Sequence, residues 1–139
     1  QFLEKTNSKF DLVFASGVLY HMLEPIKLLD LISKVTDRCF LWTHYYDKNL
    51  IDENKNIKYR FKKLEVFEYK DSHYEVSKYS YEDALNWLGF CGGANPTCKW
   101  LSRKSIIDGL LNFGYKDITV GFEQPNHPNG PAFAICAKR

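Results

Sequence analysis

The sequence predicts an α/β fold whose sheet is mostly parallel, ends in an antiparallel final strand and carries a β-hairpin insertion. Three observations lead to this expectation. Residues 10–43 have the pattern of a strand, a helix and a second strand; an alternating aromatic stretch follows; and a helix and two apolar strands come last. Strands that alternate with helices favour a parallel sheet covered by helices.

The first strand, helix and second strand are marked by composition and spacing. Residues 12–15 are an apolar run typical of a strand covered on both faces, and Ser16-Gly17 interrupts it. Pro25 suits the first turn of a helix, whose apolar residues recur at helical spacing at Leu28, Leu29, Leu31, Ile32 and Val35. Residues 39–43 predict a second buried strand, parallel to the first because a crossover joins them.

An aromatic insertion is expected between the second strand and the late helix, at about residues 56–100. Residues 47–58 are rich in Asn, Asp and Lys and predict a loop. Residues 59–69 and 73–79 then alternate well enough to pair as an antiparallel hairpin across a short turn.

The second half of the sequence contains the late helix and two more strands. A capping-box pattern predicts a short helix over 80–89, and the glycines and proline of residues 92–96 predict a turning segment. The next helix is expected over 102–114, with a serine cap, a glycine stop and an apolar stripe at Ile106, Ile107, Leu110, Leu111 and Phe113. Residues 117–122 predict a third core strand, and residues 131–137 the reversed final strand.

Charge and composition exclude several function classes. A chain of 139 residues with 45% hydrophobic residues can bury one core. The net charge of +2, and the mixture of Lys, Arg and Glu over residues 58–70, favour a solvated face over a nucleic-acid surface. No apolar stretch is long enough to span a bilayer, so we expect no membrane partner and a cytoplasmic location.

The cysteines and histidines predict no metal site. The four cysteines form no CxxC pair and are interpreted as reduced thiols, with Cys39 and Cys136 inside buried strands. The four histidines are scattered and lack HxxxH spacing. His127, which lies near two prolines in the last loop, is expected to be exposed.

Three segments carry a family resemblance: the strand and loop Phe10-Asp-Leu-Val-Phe-Ala-Ser-Gly-Val-Leu-Tyr-His21, and, around the late helix, Trp100-Leu-Ser-Arg103 and Leu111-Asn-Phe-Gly-Tyr115. In their order and spacing they resemble the second half of the class I S-adenosylmethionine-dependent methyltransferases. The resemblance implies a Rossmann-like half-sheet, S-adenosylmethionine as the cofactor, and methyl transfer to a small-molecule or carbohydrate-like acceptor.

The sequence departs from that family at the cofactor loop. It contains no strand followed by a Gly-rich turn and no acidic residue at the end of a second strand. Residues 1–139 are therefore interpreted as the C-terminal half of a methyltransferase domain, which we expect to be inactive alone. The strand at 11–15 would then have a bare edge, which predicts a homodimer paired through that edge, strand exchange or poor solubility. The alternative function is a non-catalytic binding or assembly module that completes a sheet with a partner chain.

The loop after the first strand contains the predicted cofactor and catalytic residues. Ligands bind at the carboxyl ends of strands in open parallel sheets, so Ser16, Gly17 and Val18 are expected to contact the cofactor, although an ordinary strand-to-helix turn would look the same. His21 is predicted to help position the acceptor or to take its proton, and the alternative is a hydrogen bond at the helix entry.

The predicted acceptor residues come from three places in the sequence. Tyr20 lies in the first loop, and His44 and Tyr45 follow the second strand. Trp100 and Arg103 flank the start of the late helix, where the guanidinium could pair with an anionic acceptor. Each has a structural alternative: packing for the aromatic residues and a solvated side chain for Arg103.

Overall fold

A computed structural model of the protein describes residues 2–89, 92–93 and 95–139. Its helices are α1 (Phe2–Lys5), α2 (Pro25–Val35), α3 (Lys48–Glu53) and α4 (Arg103–Asn112). Its strands are β1 (Val13–Ser16), β2 (Arg38–His44), β3 (Glu65–Tyr69), β4 (Ser72–Ser80), β5 (Thr97–Leu101), β6 (Asp117–Gln124) and β7 (Ala132–Lys138). Short 3-10 turns occupy Leu19–His21, Lys58–Arg60 and Glu82–Asn86.

The main sheet has the strand order β1-β2-β7-β6. β1 and β2 are parallel, and β7 is antiparallel to both β2 and β6. β1, β2 and β6 therefore run in one direction, and the last strand is inserted between two of them in the opposite direction. The α/β fold with a mostly parallel sheet and an antiparallel final strand, predicted from the sequence, is confirmed.

The core of the main sheet lies under α2 and α4. Alternation along the strands places Leu41 of β2 opposite Ile135 of β7, and both are fully buried. Helical spacing brings Leu29 and Ile32 of α2 and Ile106 of α4 onto the same core. α4 begins as predicted, because the Ser102 hydroxyl accepts a hydrogen bond from the Ser105 N–H at 3.1 Å.

A second sheet, with the order β3-β4-β5, is formed by the insertion. The predicted hairpin is confirmed as β3 and β4, and its turn at Lys70 and Asp71 has positive φ values of 49° and 60°. β5 was not predicted: its residues lie between the turning segment expected at 92–96 and the helix expected from residue 102, and no element was assigned to them. It pairs with β4 and is joined to the main sheet by the Tyr46 N–H, which donates to the Leu101 carbonyl at 2.8 Å.

Several local expectations were wrong. The predicted loop at 47–58 contains α3, which Asp47 caps by accepting hydrogen bonds from two backbone N–H groups. The short helix expected over 80–89 is a 3-10 turn without a side-chain cap. Cys136 is exposed rather than buried, because strand alternation points it to the outer face of the sheet. Cys39 and Cys98 are buried free thiols, and Cys91 lies outside the described residues.

The outer face of the main sheet, opposite α2 and α4, is apolar and uncovered within the described residues. Leu12 and Phe14 are 53% and 67% exposed, and Phe14 stacks on Phe40 with ring centroids 4.6 Å apart. These side chains and Cys136 line a shallow cavity of about 450 Å³. β1 pairs only with β2 among the described strands, so its other edge is open.

The described residues contain neither a candidate metal site nor a membrane-spanning helix. No group of three or more His, Cys, Asp or Glu side chains there is placed to hold a metal ion. No described helix is long and apolar enough to cross a membrane.

Candidate active site

The loop after β1 leaves an open surface at the carboxyl end of that strand. Gly17 has φ +72°, which L side chains rarely adopt, and its N–H donates to the Trp42 carbonyl at 2.9 Å. A Cβ built on Gly17 would have the Tyr20 hydroxyl, at 3.8 Å, as its nearest described neighbour. Ser16 and Val18, on either side, are exposed. Glycine is therefore required here by the backbone, and the surface beside it is open.

His21 is presented by the 3-10 turn that follows this loop. Leu19 anchors the turn in the main core, and the carbonyl of residue 22 accepts a hydrogen bond from the Lys99 N–H of β5 at 2.9 Å. His21 Nδ1 lies 2.6 Å from the Tyr81 hydroxyl. Burial lowers the pKa of His21 below its ordinary value. The turn thus holds a neutral imidazole against a tyrosine.

His44 lies at the end of β2 and is 5% exposed. Its Nδ1 donates to the Gly130 carbonyl at 2.8 Å, since a carbonyl can only accept, and its ring stacks on Trp100 with centroids 5.0 Å apart and planes 9° from parallel. Burial lowers the pKa of His44 to about 4. At neutral pH this imidazole is therefore uncharged, with its hydrogen on Nδ1 and an acceptor lone pair on Nε2.

The second sheet places an aromatic wall against these two histidines. Trp100 of β5 and Tyr79 of β4 lie diagonally on the same face, with centroids 5.2 Å apart and planes 12° from parallel. The Phe61 ring meets the Trp100 ring edge-on at 4.9 Å. The wall exists because β5 is a strand, which fixes Trp100 beside the end of β2.

A cavity of about 440 Å³ lies between the main-sheet loops and this wall. Four residues predicted from the sequence are brought together on its lining: Tyr20, His21, His44 and Trp100. The Tyr20 ring lies 4.6 Å from His44 and 5.7 Å from Trp100. The loop residues Ser16–Val18 lie directly before this group, at the same end of the sheet.

Tyr45 and Arg103 lie elsewhere. Burial places the Tyr45 ring in the main core against Phe133, and its hydroxyl donates to Glu123 Oε1 at 2.9 Å. The Arg103 guanidinium binds the same carboxylate through two hydrogen bonds of 2.7 and 2.9 Å. Neither residue lines the cavity that contains His21, so their predicted role at the acceptor remains a prediction.

The other lining residues were not predicted as site residues, and they include Arg60, Tyr79 and Tyr81. Tyr79 was placed in the predicted hairpin and Tyr81 in the short helix expected over 80–89, and neither was given a role in binding. Arg60 was assigned to a solvated face, because its run mixes both signs of charge. The available signal was the aromatic density of the insertion, which does not indicate which rings face a cavity.

No protein-family model matches the sequence, and no curated protein matches it significantly. Solved structures do match. The N-terminal domain of EvdMO1 with S-adenosylhomocysteine (SAH) bound has a TM-score of 0.65 and 21% identity, over 98% of this chain and 50% of that one. The same domain in the presence of SAH and D-fucose also has a TM-score of 0.65 and 21% identity, over 98% and 52% of the two chains.

A third similar structure is magnesium protoporphyrin IX methyltransferase (ChlM) from Synechocystis PCC 6803 with bound SAH. Its TM-score is 0.55 and its identity 15%, over 100% of this chain and 49% of that chain. The likeness establishes that the fold is shared with these proteins. This chain spans about half of the length of each of them.

Proposed function

We propose that this chain is part of an enzyme that transfers a methyl group from S-adenosylmethionine to a small-molecule or carbohydrate-like acceptor. The observation that carries the proposal is the position of the aromatic cavity and His21 next to the open Ser16–Val18 loop, at the carboxyl end of β1. The neighbours that share the fold were solved with SAH, and one was crystallised in the presence of SAH and D-fucose, which supports both the cofactor and a sugar-like acceptor.

The residues of the first loop fit one side of such a cofactor. The open surface beside Gly17 lets a ligand approach the backbone, and the exposed Ser16 hydroxyl and Val18 side chain flank it with polar and apolar contacts. When bound, S-adenosylmethionine supplies an electrophilic methyl group on a sulfonium centre. The remaining contacts would come from a Gly-rich loop outside these 139 residues, so we propose that this chain is the C-terminal half of the domain and is inactive alone.

His21 is the proposed proton acceptor. Methylation of a hydroxyl forms an oxygen–carbon bond and releases the hydroxyl proton, which a neutral imidazole in reach can take. For Nε2 to accept that proton, Nδ1 must carry the hydrogen and donate it to the Tyr81 oxygen at 2.6 Å. The burial that lowers the pKa of His21 keeps the ring unprotonated before the reaction. Alignment of the acceptor by the cavity walls would supply the rest of the catalysis.

Calorimetric titration of SAH tests this function. We expect the complete protein that contains this chain to bind SAH, and the 139-residue chain alone to show no binding. In the complete protein, Gly17→Ala should weaken SAH binding several-fold, because a Cβ strains the backbone at φ +72° and occupies the open surface. Gly121→Ala is the matched control, since a Cβ there meets no described atom within 4 Å. A complete protein that does not bind SAH contradicts the proposal.

The second candidate function is an assembly module without chemistry. The open edge of β1 and the exposed apolar outer face of the main sheet favour it, because both features are suited to pairing with another chain. This candidate gains support if SAH does not bind to any form of the protein while the chain still associates through β1.

A further inference from the structure

The cavity beside His21 combines aromatic walls with one permanently charged group. Tyr20, Tyr79 and Trp100 contribute rings, and Arg60 lines the same space. No Asp or Glu is present among its lining residues in the described part of the chain. A cavity with a guanidinium and no carboxylate has an electrostatic preference for negative charge.

Arg60 is held in a fixed position by the backbone of the insertion. Its Nη1 donates to the Tyr81 carbonyl at 2.6 Å and to the Ser80 carbonyl at 3.5 Å. Its guanidinium carbon lies 5.2 Å from the centroid of the Tyr59 ring. Both hydrogen bonds use Nη1, so the donors on Nε and Nη2 have no partner among the described residues and remain available to a ligand.

Two other arginines form ion pairs with carboxylates, whereas Arg60 does not do so among the described residues. Arg103 pairs with Glu123 at 2.7 Å, and Arg139 pairs with Asp37 at 3.0 Å. Within the described ranges, Arg60 has no carboxylate within ion-pair distance. A half-buried guanidinium that is fixed by carbonyl groups and has no counter-ion is a preorganised site for a planar anion such as a carboxylate or phosphate.

We propose that the acceptor is a sugar-sized ring with a carboxylate or phosphate substituent, and that Arg60 binds this anion while the aromatic walls hold the ring. The proposal rests on the proposed function, because it takes the cavity as the acceptor site. The volume of about 440 Å³ is suited to a ligand of this size. Asn56 and Asn129 also line the cavity and provide neutral hydrogen-bonding groups for ring hydroxyls.

Binding of three simple sugars to the unmodified chain tests the charge preference. Glucose 1-phosphate and glucuronate carry the two anionic groups, and methyl glucoside is the neutral reference. We expect both anionic sugars to bind at least about tenfold more tightly than the neutral sugar, in titrations followed by calorimetry or by tryptophan fluorescence. Equal binding of charged and neutral sugars, or no binding of any of them, would overturn the proposal.

Substitutions then locate the charge. Arg60→Gln should weaken the binding of the anionic sugars about tenfold and leave the binding of methyl glucoside unchanged. Arg60→Lys keeps the positive charge, so it should reduce the affinity for the anionic sugars less than Arg60→Gln does. Arg38→Gln is the matched control, because Arg38 is exposed at the far end of β2 and also lacks a described carboxylate partner. Circular dichroism checks that the variants fold. If Arg38→Gln has the same effect as Arg60→Gln, the anion is not bound in this cavity.

The two proposals fail in different ways. If the complete protein binds SAH but the sugars bind without regard to charge, methyl transfer stands and the anionic acceptor is wrong. If anionic sugars bind through Arg60 but the complete protein does not bind SAH, the anionic ligand stands and methyl transfer is wrong.

Discussion

Burial sets the protonation of the two imidazoles that line the cavity. His44 is bound through Nδ1 to the Gly130 carbonyl and covered by Trp100, and its pKa is lowered to about 4 mainly by desolvation. His21 has a lowered pKa for the same reason but is less buried, and it adjoins the open loop. Both imidazoles are therefore uncharged at neutral pH, and His21, the less buried of the two, is the one that we propose as the base.

The low pKa of His44 predicts a loss of stability in mild acid. The unfolded chain protonates His44 near its ordinary pKa of 6.5, whereas the folded chain does so only near 4. As the pH falls through this window the unfolded state binds the proton first, so the free energy of unfolding decreases, by at most about 3 kcal/mol. His44→Gln should reduce the pH dependence of the free energy of unfolding. Urea unfolding followed by circular dichroism at several pH values measures this dependence.

The control for this prediction is His73→Gln, since His73 is an exposed histidine on β4. That variant should retain the wild-type pH dependence between 6.5 and about 4. The interpretation of His44 is contradicted if His44→Gln and the wild type lose stability in parallel over the same range.

Some site residues could be predicted from the sequence because their position follows from a rule about strand ends. Tyr20, His21 and His44 follow strand ends, and the rule that ligands bind beyond the carboxyl ends of parallel strands brings them together. The same rule could not tell that His44 faces the cavity while Tyr45 points into the main core. Successive residues at a strand end point to opposite sides, and which side faces the cavity depends on the second sheet. The position of Arg60 at the cavity depends entirely on the second sheet and the residues that follow β4, whose carbonyl groups hold its guanidinium.

At the scale of elements, the unpredicted β5 is what completes the cavity. Its five residues follow a segment rich in glycine and proline, which masks a strand signal, and they are extended because they pair with β4. α3 was missed for a similar reason: its six residues are mostly polar, and one buried side chain, Ile51, anchors it. The main sheet was more predictable because β2 and β7 are apolar runs and α2, which joins β1 to β2, has a clear helical period.

The loop between β6 and β7 is held against β5 at Gly130. This residue has φ +108°, and a Cβ built on it would lie 2.7 Å from the Trp100 ring and 3.1 Å from Ile57. Gly130→Ala should therefore lower the free energy of unfolding by about 2–4 kcal/mol through backbone strain and overpacking. It should also displace Trp100, seen as a change in tryptophan fluorescence and near-ultraviolet circular dichroism.

Gly121→Ala is the control for this change. Gly121 lies in β6 at the bulge between Val120 and Phe122, and its Cβ would meet no described atom within 4 Å. Its effect on the free energy of unfolding should stay below about 1 kcal/mol, with the Trp100 signals unchanged. Similar effects of the two substitutions would mean that Gly130 does not press on the wall of the cavity.

For the whole molecule, the main sheet is covered on one face and bare on the other. α2 and α4 bury the inner face, whereas the outer face exposes Phe14 together with Leu12 and Phe122. β1 also has an open edge next to this apolar face. In doubly wound α/β folds both faces of the sheet are covered by helices. The chain on its own thus leaves surface exposed that such folds normally bury.

The open edge and bare face predict that the isolated chain dimerises through β1. A second copy can pair with the free backbone groups of β1 and cover Phe14, which is 67% exposed. Phe14→Lys should shift the chain toward monomer, because a charge on an edge strand opposes strand pairing. Leu111→Lys, which changes an exposed apolar residue of α4 on the opposite side of the sheet, should leave the dimer intact.

Sedimentation velocity over a range of concentrations distinguishes these outcomes. A wild-type chain that stays monomeric, with amide exchange showing β1 well ordered, would refute pairing through this edge and leave the outer face as a surface that tolerates exposure.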